Sequence, residues 1–184
     1  MKKFTTILST ITLVVSLFIL VMVSACNKGD IKYNDTTLVR PCDNVICLNG
    51  GNCVDGSCYC PLGYEGVKCE TRFSEKFVGN YKVADECYTG GNVYYNATIQ
   101  ANSNQATGLT LSNVGVFCPS GTLQAVVKPE KTAFEIPMQK GCGDLYISGY
   151  GNINPNLQFI NVYITARDSV NHTSSQCSLL MTRQ

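Results

Sequence analysis

Apolar and polar positions divide this chain into regimes with different periods. From about Ile7 to Val23 apolar residues run almost unbroken, diluted by Ser9, Thr10, Thr12 and Ser16, with Ser24 just beyond. From Asn27 to Pro41 the residues are polar with no sustained period, which reads as a tether. After Arg72 short alternations take over. Val93, Tyr95, Ala97 and Ile99 alternate with Tyr94, Asn96, Thr98 and Gln100, the period of two expected of a half-buried strand. Similar stretches are Phe77 to Val83, Gly108 to Asn113, Thr122 to Val127, Ala133 to Met138, Leu145 to Tyr150, Gln158 to Thr165 and Gln176 to Met181. Turn formers separate them at Gly90-Gly91, Asn102-Ser103-Asn104, Pro119-Ser120-Gly121 and Asn154-Pro155-Asn156. No amphipathic helix is evident. The fold class expected for 73–184 is therefore mainly β, an antiparallel meander of about eight strands that makes a barrel or a strongly curved sheet.

The first apolar run is an address. Lys2 and Lys3 precede it, the layout of an export signal with a positive start and a hydrophobic centre. At its end Val23-Ser24-Ala25-Cys26 resembles the lipobox of bacterial lipoproteins, an aliphatic residue and two small ones before a Cys. The resemblance implies that residues 1–25 are a signal peptide and that Cys26 becomes the first residue, carrying diacylglycerol on its sulfur and an acyl chain such as palmitate on its amine. It also implies a lipidated tether over 26–41 and a bacterial cell-envelope location, with the outer membrane expected. The other reading of the run is an uncleaved transmembrane helix, since about 20 apolar residues span a bilayer. Each buried methylene contributes about 0.8 kcal/mol, so several acyl chains hold a protein on the membrane where a single one barely does. Loss of Lys2 and Lys3 leaves 12 cations against 13 acids, so attraction to anionic lipid is not the means of attachment. Lys28-Gly29-Asp30 loosely resembles the short charged signal after the lipidated Cys of some surface-exported lipoproteins, which implies outward exposure.

Export places the remaining chain where cysteines pair, and ten of the 11 Cys lie beyond Cys26. Six of them, Cys42, Cys47, Cys53, Cys58, Cys60 and Cys69, follow the spacing C-x4-C-x5-C-x4-C-x-C-x8-C. Their arithmetic allows fifteen connectivities. The stretch from Cys58 through Pro61, Gly63, Tyr64 and Gly66 to Cys69, with Asn49-Gly50-Gly51 before the third Cys, resembles the epidermal growth factor (EGF)-like domain. That resemblance covers 42–70 and implies pairing of Cys42 with Cys53, Cys47 with Cys58 and Cys60 with Cys69. A segment this short cannot bury enough apolar surface to fold without such staples. Tyr59 and Tyr64 are its only large rings and are expected to pack over its small core, with recognition of a partner as their other role.

No metal is expected. The chain lacks the C-x2-C pairs typical of zinc sites, and export favours disulfides over thiolates. Calcium-binding EGF-like domains carry an acidic run before the first Cys, whereas this chain reads Thr37-Leu38-Val39-Arg40-Pro41, so Asp43, Asp55 and Glu65 read as solvated surface.

Within the β segment, Phe77-Val78-Gly79-Asn80-Tyr81-Lys82-Val83 resembles the first strand of small lipocalin-like domains in lipoproteins of Gram-negative bacteria. Those domains often place one Cys shortly after this strand and another near the C-terminus, where Cys87 and Cys177 stand. Membership would imply a barrel that holds an apolar ligand or is filled by its own side chains. Closing a meander brings its first and last strands together, which favours a Cys87 to Cys177 bond and leaves Cys118 to Cys142, one of three pairings four Cys allow.

Chemistry is sparse. The single His, His172, lies among Asp168, Ser169 and Ser174 in one polar stretch, and a triad needs its members held by separate elements. Glu130, Glu135 and Asp144 are scattered, and no phosphate-binding Gly loop precedes a helix. The balance of 14 cations and 13 acids offers no field for nucleic acid. No catalysis and no cofactor is expected. The leading expectation is a noncatalytic, membrane-anchored envelope lipoprotein that presents both modules for protein contact or adhesion. Alternatives are a lipocalin-like carrier of a small apolar ligand, a carbohydrate-binding surface protein, and a hydrolase using His172. The sugar reading rests on Tyr81, Tyr88, Tyr94, Tyr95, Tyr146, Tyr150 and Tyr163 among many Asn, whereas the expected role of these rings is barrel filling.

Overall fold

A computed structural model describes residues 40–87, 93–115 and 120–184, and 40–184 form one compact unit. The expected signal peptide, Cys26 and most of the expected tether lie outside the described residues, as do Tyr88 and Cys118.

The Cys-rich segment consists of two short ladders. Strands β1 (Asn52–Val54) and β2 (Ser57–Tyr59) pair antiparallel with Cys53 opposite Cys58. Asp55 and Gly56 join them at φ 48° and 82°, the two left-handed positions of a type I′ hairpin turn. Strand β3 (Tyr64–Glu65) pairs with β4 (Thr71–Arg72). Disulfides join Cys42 to Cys53, Cys47 to Cys58 and Cys60 to Cys69. Tyr59 does not pack over this core; it is 75% exposed. Side chains alternate along a strand, so the residue next to the inward Cys58 points outward.

A 3-10 turn over Phe73–Phe77 leads into eight strands: β5 (Gly79–Asp85), β6 (Val93–Ala101), β7 (Gly108–Ser112), β8 (Thr122–Val127), β9 (Ala133–Lys140), β10 (Leu145–Ile153), β11 (Phe159–Asp168) and β12 (Ser174–Arg183). Each pairs antiparallel with its sequence neighbour, and β12 pairs with β5 from Leu179 opposite Asp85 to Arg183 opposite Tyr81. The result is a closed eight-stranded meander barrel, which has no free edge. Eight strands enclose a space about as wide as the side chains that fill it. Tyr81, Ile99, Leu109, Phe134, Ile164 and Met181 occupy it, each below 2% exposure. Phe134 fits because Gly151 lies opposite it on β10, where an added Cβ would collide with the ring.

Phe77, expected to begin the first strand, instead ends the 3-10 turn and closes one end of the barrel, edge-on to Phe134 with ring centroids 5.5 Å apart. The Tyr81 hydroxyl donates to the Phe77 carbonyl at 2.7 Å, and Arg183 donates to the carbonyls of Val78, Lys76 and Leu157. These bonds supply partners for backbone oxygens that a strand ladder would otherwise satisfy. At the opposite end Cys87, just after β5, is bonded to Cys177 on β12. Cys142 is also disulfide-bonded.

Candidate interaction surface

The Cys-rich segment sits against the capped end of the barrel. The amide of Phe73 donates to Gly63 at 2.9 Å, and the Ser74 hydroxyl donates to the Ala106 carbonyl at 3.0 Å. Gly63 has φ 98°, and an added Cβ would approach that of Ala106 to 2.8 Å. Glu65, expected as solvated surface, is half-buried and paired. Its carboxylate bridges Lys76 at 3.2 Å and Lys131, in the turn between β8 and β9, at 3.0 Å. Burial pushes the carboxyl up, but hydrogen bonds from Lys131 and Lys76 and their charges outweigh it and hold the group below the usual carboxylate range. Lys131 also lies 4.6 Å from the centroid of the Phe73 ring. The 3-10 turn is thus gripped from both modules.

The Cys-rich segment exposes several large apolar side chains, among them Tyr59 and Leu62 at 75% and Val67 at 85%.

The barrel wall differs around its circumference. Among the described tyrosines of the barrel, Tyr81 fills the interior and Tyr95 is partly buried near one end; Tyr94, Tyr146, Tyr150 and Tyr163 point outward and are exposed, contrary to the barrel-filling expectation. Strand parity decides this, because each outward ring follows an inward aliphatic or glycine position on the same strand. Tyr150 and Tyr163 are register partners, stacked with centroids 5.0 Å apart and planes 27° from parallel. Beyond them, a hollow of about 590 Å³ opens on the outer surface, lined by Met138, Tyr146, Arg167, Asp168, His172 and Thr173 among others.

His172 occupies the turn between β11 and β12 at φ 55° and is exposed. Asp168 accepts hydrogen bonds from the amides of Val170 and Asn171 and from the Asn171 side chain, and these hold its carboxyl below the usual range. Ser169 donates to the Asp144 carbonyl. Asp168 and Ser169 therefore build the loop rather than a hydrogen-bonded chain through His172. Glu130 and Asp144 lie in separate turns, and Glu135 points outward on β9. No group of three metal-ligating side chains is present among the described residues.

The buried polar cluster that pattern reading passed over is at the disulfide end. Asp85 is fully buried, accepting from the Cys87 amide at 2.8 Å and from the Tyr95 hydroxyl at 2.7 Å, while Tyr95 accepts from the Gly115 amide at 2.8 Å. Burial first, then the bond to Asp85, raises the Tyr95 pKa. The signal was parity: Asp85 shares the inward face of β5 with Tyr81 and Val83.

No family model matches the chain. One curated protein, the neurogenic locus notch homolog protein of Giardia intestinalis, is 44% identical over 48 residues, covering 24% of this chain and 8% of that protein's length. This similarity, the three bonds within 42–69 and the closed barrel together fit an EGF-like module followed by a β-barrel.

Proposed function

We propose that this chain is a noncatalytic lipoprotein of the bacterial cell envelope, held on the outer membrane through lipid on Cys26, with its EGF-like module and barrel presented for contact with a protein partner. The observation that carries the contact role is the exposed apolar group of Tyr59, Leu62 and Val67 on a module that is itself fastened to the barrel through Glu65. A surface already held in place loses little further freedom on binding. The anchor is supported by Lys2, Lys3, the apolar run and Val23-Ser24-Ala25-Cys26. The carrier alternative draws no support from the interior positions, which Tyr81, Phe134, Met181 and aliphatic side chains occupy.

Photo-crosslinking from position 67 in intact cells, followed by capture, tests the contact role. A discrete protein adduct that disappears in Tyr59→Ser is the expected result, and absence of any adduct overturns it. Mass analysis of the mature N-terminus tests the anchor separately; an unmodified Cys26 would refute it.

A further inference from the structure

The outer wall formed by β10, β11 and β12 is chemically unlike the rest of the barrel. Its centre is the stacked pair Tyr150 and Tyr163, 47% and 43% exposed. In register on one side lies the pair Ser148 and Thr165, and on the other the pair Asn152 and Asn161. Among the described outward positions of these three strands, Arg167 carries the sole charge.

Elsewhere on the wall, several outward polar side chains bond to one another or to the backbone of a neighbouring strand. Thr98 donates to Asn80, Thr110 donates to Gln124, and the Gln139 amide exchanges two bonds with the backbone of Gln124. On the tyrosine face the side-chain amides and hydroxyls beside the rings make no such bonds among the described residues, leaving donors and acceptors directed at solvent. Closure of the barrel also leaves no strand edge there for an extended peptide to join.

We propose that this face binds an uncharged carbohydrate, with the exposed surface of the Tyr150 and Tyr163 stack receiving the C–H face of a pyranose ring. Asn152, Asn161, Ser148 and Thr165 then exchange hydrogen bonds with its hydroxyls. Aromatic rings supply the apolar half of such recognition and neutral amides the polar half. A neutral ligand matches a wall with one charge, whereas a charged glycan would require cations or carboxylates that these rows do not provide. The cross-strand stack holds the platform before the ligand arrives, which lowers the ordering cost. The outer hollow beside Tyr146, where Arg167 and Asp168 place one charge of each sign, continues the face toward the barrel end, so a chain of several sugar units is favoured over a monosaccharide. This role is independent of the lipid anchor and of protein contact at the EGF-like module.

The test uses the full-length chain in a detergent without a sugar headgroup, titrated against immobilised cello-, chito-, manno- and malto-oligosaccharides. Binding to at least one series is expected, with tyrosine absorbance perturbed on addition of the same oligosaccharide in solution. Tyr150→Ala and Tyr163→Ala should each weaken binding about tenfold, the order of one aromatic contact. Tyr163→Phe should retain most of it, and Asn161→Ala should weaken it. Absence of binding to all four series overturns the proposal, as does binding that survives the double alanine variant with an unchanged circular dichroism spectrum. If an alanine variant fails to fold, the Asn161→Ala effect and the absorbance change decide the matter. A protein partner captured at Tyr163 without oligosaccharide binding would also refute it.

Discussion

Glu65 of the EGF-like segment and Lys131 of the barrel meet at 3.0 Å, and Lys76 of the intervening turn reaches the same carboxylate at 3.2 Å. One carboxylate thus joins three parts of the chain. Because its folded pKa lies below the ordinary value, its contribution is present above the unfolded pKa and is lost as pH falls through the depressed folded value. Thermal melts at decreasing acidic pH should therefore show wild type converging on Glu65→Gln. At neutral pH the substitution should cost about 1 kcal/mol, the upper range for partly exposed pairs.

Gly63 should be intolerant of any side chain. Its φ of 98° disfavours an L residue, and a Cβ would press on Ala106 and Thr107. Gly63→Ala is expected to lower stability by about 2 kcal/mol and to expose the 3-10 turn to proteolysis. Thermal denaturation with protease mapping checks both effects.

Arg183 donates to three backbone carbonyls and to the Tyr81 hydroxyl, positions that a single ammonium cannot reach together. Arg183→Ala should destabilise the barrel by about 2 to 3 kcal/mol, and Arg183→Lys should recover little of that loss. Chemical denaturation of the two variants against wild type measures the difference.

Tyr95→Phe removes a donor to buried Asp85 and an acceptor for the Gly115 amide, and should cost about 1 to 3 kcal/mol. Since burial raises the Tyr95 pKa, wild-type stability from this group is full below the unfolded tyrosine value of about 10 and is lost at higher pH. Alkaline denaturation should be less steep in Tyr95→Phe than in wild type. An identical alkaline profile would show that Tyr95 ionisation does not drive it.

Period and spacing carried much of the architecture. The alternation of Val93 to Gln100 became β6, and Thr122 to Val127 became β8 with its stated bounds. Neither pattern needs knowledge of distant residues, because side-chain alternation is local to each strand. Six cysteines in 28 residues require staples whatever their partners. Phe73–Phe77 was not legible in this way: a phenylalanine suits a strand equally well, and only the open end of a barrel draws its ring inward as a plug. The sequence by itself determined that strands and bonded cysteines would form, since propensity, period and spacing are properties of neighbouring residues. Tertiary structure alone decided that Tyr150 and Tyr163, on neighbouring strands, stack on each other, and that Glu65 faces two lysines. Inward and outward acquire meaning only when eight strands close on a common axis, and a charge acquires a partner only when remote segments are brought together.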